Sequence, residues 1–401
     1  MRVPRVAYFP DSFHEVNGVA HTSRNFVAYA ERHGLPFLCV RAGTREQAFA
    51  QSQELRTLEL KRSRGSVRME KDLEFDTLFW RHGEKIRRQL ERFRPDIIHI
   101  TGPSELGLFG AYFAWEMGIP LAASWHTNIH EYAARRMGWL TGRMLKSRRD
   151  AIEDGVEAGT WWATSQFYRL AQVLFAPNEQ LCRMLERTSL RPCFLMQRGV
   201  DTELFNPRHR TRIPGDKTVV LGYVGRLSVE KNVTLLAQVE RELQTRGLGD
   251  KVRFLIVGHG SEEDFLRRNL KNAEFAGVLR GTALTEAYAN MDVLVFPSHT
   301  DTFGNVVLEA LASGVPAVVT PDGGPKFIVR DGETGFVTAD EQFAGAVAQL
   351  IQAPERLETM RQKAREHALG YSWDAVFDRV YAGYETALKA RRRQERFAER
   401  A

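Results

Sequence analysis

Residues Val293–Gly314 read VLVFPSHTDTFGNVVLEALASG. Val293–Phe296 is a short, unbroken apolar run closed by Pro297, which predicts a strand buried on both faces. A polar loop carrying Asp301 follows, and a helix opens near Thr302–Gly304 and runs to Gly314. Strand, loop and helix in this order are half of a βαβ unit and point to parallel α/β architecture. In open α/β sheets ligands sit beyond the carboxyl ends of strands, where a helix N-terminus offers backbone N–H groups and a positive dipole end to phosphate. Phe303, Gly304, Asn305 and Val306 occupy that first turn, and Asp301 stands ahead of it. Glu309 lies further along, where two carboxylate oxygens can accept hydrogen bonds from vicinal ribose hydroxyls. For the acidic pair alone, an ordinary strand-loop-helix with surface carboxylates fits equally well.

Upstream, Val220–Asn232 reads VLGYVGRLSVEKN, a strand entering a glycine-containing loop with two cations five residues apart. Arg226 can fork onto phosphate oxygens and Lys231 adds a point charge, so together they would neutralise a diphosphate; separately each is a surface cation. Val257-Gly258-His259-Gly260 lacks the third glycine of a dinucleotide fingerprint. The remaining predicted strands of this half are Val219–Val224, Arg253–Val257 and Ala317–Val319. Those of the first half are Val3–Tyr8, Pro36–Arg41, Asp96–Ile100, Leu121–Ser124 and Leu174–Ala176. Short apolar runs alternating with helical patterns describe two Rossmann-like, doubly wound parallel sheets. At 401 residues the chain exceeds what one core supports. The expected domains are residues 1–197, residues 198–372 and a C-terminal helical segment, 373–401, packing back towards the first. Arg198–Gly215, with Asn206-Pro207 and Pro214-Gly215, is read as the hinge.

Forty-three per cent hydrophobic and 26 per cent charged residues exclude a disordered chain. Asp11, His14 and Glu15 interrupt the opening apolar run, so no secretion signal is read, and Gly107–Trp125 is broken by Glu116 and Pro120 and reads as helix then strand rather than a membrane span. Three cysteines, Cys39, Cys182 and Cys193, lack metal or redox spacing, which fits a reducing cytoplasm. The net charge of +6 comes from the first half, where Met1–Leu195 holds 28 basic against 22 acidic residues. Lys61–Lys71 holds five basic residues and one acid. Ile129–Asp150 holds six basic residues and two acids, interleaved with Tyr132, Met137, Trp139, Leu140, Met144 and Leu145. Attachment to an anionic membrane, on the inner face of the plasma membrane, and a solvated basic face explain these segments equally well. Nucleic-acid binding is disfavoured because no recognition motif accompanies the charge.

The segments GRLSVEKN, VGHGSEEDFL, FAGVLRG, FPSHTDTFGNVVLEALASGVPAV and DGETGFV, in this order and spacing, resemble the family 4 retaining glycosyltransferases of GT-B architecture, in which two Rossmann-like domains face a central cleft. In the first half the resemblance rests on Asn17-Gly18-Val19, Ser124-Trp125-His126-Thr127-Asn128 and Arg198-Gly199-Val200-Asp201. It implies a UDP- or GDP-linked sugar donor, a lipid or sugar acceptor and no separate cofactor. Arg226 and Lys231 would hold the donor diphosphate, Glu309 its ribose, and Asp301 with the following loop its sugar hydroxyls. The base would meet backbone around Phe275–Leu279, at Val278. Gly18, with Asn17, would admit first-domain backbone to the phosphates, and His126 would face the donor sugar. The family's two glutamates, with seven residues between them, are here Asp301 and Glu309, and the aspartate is one methylene shorter.

Asp11 is a candidate for orienting the acceptor hydroxyl, while His14, His130 and Tyr132 read first as structural. The sequence holds no Asp-x-Asp pair, so a metal-independent site is expected, with fixed cations and a helix N-terminus meeting the leaving-group charge. By resemblance the reaction is front-face, the departing phosphate taking the acceptor's proton. The alternatives are a nucleotide-sugar epimerase, a phosphorylase, for which the chain is short, and a catalytically silent nucleotide-sugar-binding or membrane-associated scaffold.

Overall fold

A computed structural model describes the chain except at residues 1, 16–17, 53, 64–66, 71–72, 77, 126–164, 214, 302 and 399–401, and describes backbone alone at 67–70, 73–75 and 390–398. The chain divides into two compact units, one of Met1–Gln197 with Val376–Ala401, the other of Arg198–Ala375.

The first unit contains β1 (Val6–Phe9), β2 (Phe37–Gly43), β3 (Gln47–Ala50), β4 (Leu55–Lys61), β5 (Val67–Glu70), β6 (Leu73–Phe75), β7 (Ile97–Ile100), β8 (Leu121–Ser124), β9 (Val173–Ala176) and β10 (Cys193–Leu195). Eight of these form one sheet in the order β10-β9-β8-β7-β1-β2-β4-β3, parallel except where β3 meets β4; β5 and β6 pair apart from it. Strands β1, β7, β8 and β9 are buried along their whole length, as expected of apolar runs covered on both faces. The covering helices are α1 (Gly18–Arg32), α2 (Gly83–Phe93), α3 (Glu105–Glu116) and α4 (Glu179–Ser189). Ser104 caps α3 by accepting from the Gly107 N–H, and Asn178 caps α4 by accepting from Leu181. Strand order reverses between β1 and β7, which opens a crevice at their carboxyl ends. The sequence reading missed β4 because LRTLELK mixes charge into a buried strand. Glu59 is tolerated there because Arg41 donates to it at 2.8 Å.

The second unit contains β11 (Val219–Val224), β12 (Val252–Val257), β13 (Ala273–Gly277), β14 (Val293–Phe296), β15 (Ala317–Val319) and β16 (Gly335–Val337), with helices α5 (Leu235–Thr245), α6 (Glu263–Asn269), α7 (Gly281–Ala289), α8 (Asn305–Ala312), α9 (Asp340–Gln352) and α10 (Pro354–Leu369). Its sheet is parallel throughout, in the order β13-β12-β11-β14-β15-β16, a doubly wound sheet whose order reverses between β11 and β14. A side chain at Gly222 would meet the Met291 sulfur at 2.0 Å, so the buried Met291 packs directly onto β11 at this glycine and would have to shift for any larger residue. The loop-like stretch after Arg198 is packed onto this unit. Arg365 donates to the carbonyls of Thr202, Phe205 and Ala312, and Arg210, Arg212 and Arg361 converge on Asp292, which also accepts from the Val220 N–H.

Helix α11 (Trp373–Ala398) begins in the second unit and, from Val376, belongs to the first. There Phe377 stacks on Phe26 with ring centroids 4.4 Å apart, Tyr29 donates to Asp378, and Tyr384 meets His99 of β7.

Candidate functional site

The switch point of the second unit holds a cavity of about 230 Å³. Its floor is the carboxyl ends of β11 and β14, at Tyr223–Gly225 and Phe296, and its wall is Phe303, Gly304, Asn305 and Val306 at the start of α8. Gly304 precedes the helix with φ 93° and no side chain caps the turn. The opening N–H groups of a helix have no partner within it, so this wall of the cavity is the end of the helix that can offer hydrogen-bond donors and positive dipole charge to an anion. A Cβ on Gly304 would meet Pro325 at 2.8 Å, and one on Gly323 would meet the Asp301 carbonyl at 2.5 Å. Gly324 donates its N–H to that same carbonyl at 2.7 Å. The Gly323-Gly324-Pro325 loop after β15 therefore sets both the turn and the Asp301 backbone.

Lys231 and Asp301 both line the cavity, and they pair with each other, Nζ to Oδ2 at 2.8 Å. Asn232, at φ 51°, turns the chain after Lys231, and its side chain donates to Asp340 at 2.9 Å beside His299, which is itself held between Asp322 and Asp340. Those two carboxylates raise the proton affinity of His299 against the opposing effect of burial. Arg226 is not brought into the cavity. It is 73% exposed and 3.5 Å from Glu230, just past the bend at Gly225, whose φ is 151°. Gly258 and Gly260 shape that turn, since a Cβ on either would meet the carbonyl of Gly225 at 1.9 Å or of Leu227 at 2.1 Å. The glycines that fail as a dinucleotide fingerprint thus seat one loop on another.

Glu309, one turn along α8, lies behind the lining residues. Tyr288 of α7 donates to its Oε2 at 2.7 Å, and burial raises its carboxyl to about 7, the tyrosine bond opposing the rise. Tyr288 carries no sequence signal, because a tyrosine at helical spacing reads as core. Val278 stands just beyond β13 and is exposed. Arg198, noticed in the sequence only as part of a hinge motif, lines the cavity.

In the first unit, Asp11 lies at the switch point between β1 and β7. Its carboxylate accepts from the Ser104 hydroxyl, and its N–H donates to Thr101 at 2.7 Å. Burial pushes the carboxyl up to about 7; the Ser104 bond works against this and the neighbouring Glu105 adds to it. Glu105 is 3.4 Å from Arg62, which also reaches Glu15 at 3.2 Å, and His14 pairs with Glu59. Gly18 opens α1. Asn17, His126, His130, Tyr132 and the rest of the 129–150 segment lie outside the described residues. One expectation is corrected: Arg62 cannot meet lipid headgroups, because its side chain is 14% exposed and engaged by two carboxylates. Among the described residues no three His, Cys, Asp or Glu side chains group as metal ligands, and no helix is long and apolar enough to cross a membrane.

The model described as Glycosyltransferase Family 4 matches residues 16–204, and that described as Glycosyl transferases group 1 matches residues 218–353. The chain is 31% identical over 318 residues to a GDP-mannose-dependent alpha-mannosyltransferase of Mycobacterium tuberculosis, covering 77% of each protein. It is 31% identical over 318 residues to sulfoquinovosyl transferase SQD2 of Arabidopsis thaliana, covering 74% of this chain and 58% of that one. Two solved structures share the fold. Lipopolysaccharide outer core galactosyltransferase WaaB superposes with a TM-score of 0.64 at 14% identity over 96% of this chain and 99% of its own. Sucrose-phosphate synthase from Thermosynechococcus elongatus gives 0.61 at 18% identity over 99% of both.

Proposed function

The chain belongs to the family 4 glycosyltransferases, nucleotide-sugar enzymes of GT-B fold, and from that premise we propose that it transfers mannose from GDP-mannose to a hydroxyl acceptor, with retention and without a metal. The observation that carries the reading is the strand-end cavity of the second unit, where Lys231, Asp301 and the first turn of α8 converge. GDP-mannose is favoured as donor because relatives named for it match about three quarters of the chain, at 31% and 32% identity.

In this reading the diphosphate lies against the N–H groups of Asn305 and Val306. Lys231, with three donors, bridges Asp301 and a phosphate oxygen. Asp301, held by that bridge, accepts from the sugar hydroxyls, and Glu309 in its ionised form accepts from the ribose. The charge growing on the leaving phosphate meets a fixed cation and fixed dipoles, which act without reorganising during the reaction. Metal-independence is inferred from this arrangement and from the absence of Asp-x-Asp in the sequence. The departing phosphate takes the acceptor's proton as the acceptor oxygen bonds to the sugar on the face the phosphate leaves. Asp11 of the first unit receives the acceptor hydroxyl. Asn17, Gly18 and His126 keep the donor-side roles that the family resemblance implies. The basic segments of the first unit favour a lipid acceptor at an anionic membrane surface.

Thermal melting with GDP, UDP, ADP and their hexose conjugates tests the donor, because a ligand at a hundred times its Kd adds about 2.7 kcal/mol to native stability. GDP and GDP-mannose should raise the melting temperature, and transfer should persist in EDTA. A shift with UDP ligands alone would move the donor to a UDP-hexose. Activity lost in EDTA and restored by manganese would end the metal-free reading.

A further inference from the structure

Of the cations near the donor cavity, two share their charge. Lys231 is paired with Asp301 at 2.8 Å, and Arg226 points outward beside Glu230. Arg198 lines the same cavity and is half-buried, yet its guanidinium makes no hydrogen bond or ion pair with a described residue. Its contact is with the ring of Phe303, 5.5 Å from the guanidinium carbon. A desolvated cation without a counter-charge is costly unless a ligand supplies one.

The position of Arg198 is fixed by its neighbours. Gly199 lies so close under Trp373 that a Cβ there would meet ring carbons at 2.5–2.9 Å. The Val200 N–H donates to the Tyr371 carbonyl at 2.9 Å, and Val200 bridges Ser372. The Tyr371–Trp373 segment thus pins the backbone on which Arg198 stands, and Phe303, at the turn into α8, lies against the guanidinium. Cation and helix start are thereby set on one cavity.

We propose that Arg198 grips the diphosphate of the nucleotide-sugar donor, supplying the unshared positive charge that Lys231, committed to Asp301, does not. The planar fork matches two oxygens of one phosphate group, and the aromatic face beneath it limits its rotation, so the contact is directional where that of Lys231 is a point charge. Burial lowers the proton affinity of Arg198, and an anion in the cavity restores it. The same contact meets charge growing on the leaving phosphate, so Arg198 serves the transfer step as well as binding.

This rests on the donor reading given above. The test measures affinity for GDP and for guanosine, with UDP and uridine in parallel, in the full-length protein and its R198M and R198K variants, alongside melting temperature. R198M should weaken diphosphate binding at least tenfold, leave nucleoside binding within twofold, and flatten the salt dependence of diphosphate affinity. R198K, keeping charge without the fork, should fall between. Wild-type binding of diphosphate matched by R198M overturns the inference and leaves the donor reading standing. Equal loss of diphosphate and nucleoside, with a fallen melting temperature, assigns Arg198 a structural role and overturns it too. Wild-type protein that binds neither GDP nor UDP removes the donor reading and this inference with it.

Discussion

Glu309 has its protonation and its proposed ligand contact set by the same burial. Its carboxyl is raised from 4.5 to about 7, so the free folded protein holds this proton more tightly than the unfolded chain does. The stability it contributes is therefore present at low pH and declines as pH rises from 4.5 to about 7. A ribose contact needs the opposite form, because only the carboxylate accepts from both hydroxyls. Nucleoside affinity should then rise about tenfold from pH 6 to pH 8, following ionisation. Guanosine is the probe, since it presents the ribose without a titrating phosphate. Glu309→Gln should bind guanosine more weakly than wild type at pH 8, by roughly 1.5–3 kcal/mol, and lose the pH dependence. A titration series in which both proteins show the same slope would refute the ribose contact. Residue type and spacing sufficed to mark Glu309, Lys231 and Asp301 as candidates. The Lys231–Asp301 pair, the outward Arg226 and the Tyr288 bond were illegible because each depends on how separate loops and helices meet.

At the scale of elements, the chemistry rests on how α8 begins. Gly304 takes φ 93°, and a Cβ there would approach Pro325 to 2.8 Å, so both conformation and space demand glycine. Gly304→Ala should cost roughly 1–2 kcal/mol through left-handed strain alone, and more through the clash. Its specific signature is a larger loss for GDP than for guanosine, because the displaced turn carries the N–H groups that face phosphate. Unchanged GDP affinity measured by calorimetry would mean that the helix start is not a ligand contact. The unbroken apolar strands and the helix after Val293–Phe296 were readable from pattern, whereas β3, β13 and β16 (QAFA, AEFAG and GFV) were missed because polar residues or glycine interrupt their apolar runs.

For the whole molecule, the proposed membrane surface is testable without touching the donor cavity. Arg62 is excluded from such a test because it is committed to Glu15 and Glu105. Replacing Arg64, Arg68 and Lys71 together by Glu should release the protein from anionic vesicles while GDP affinity stays unchanged, each lost basic contact weakening attachment by about 1 kcal/mol. Retention of the variant on those vesicles, or equally tight wild-type binding to neutral ones, would return the segment to a solvated face. By itself the sequence determined two parallel α/β sheets and a helix start with Asp301 ahead of it, because hydrophobic period and turn residues act over a few positions. Tertiary structure alone decided which of those groups share a cavity, since an ion pair spanning 70 residues, a buried carboxyl and a glycine pressed beneath Trp373 arise only when distant segments meet. It likewise decided that α11, continuous in sequence from Trp373, leaves the second unit after Ala375 and closes on Phe26 and His99, where aromatic surface of matching shape is buried.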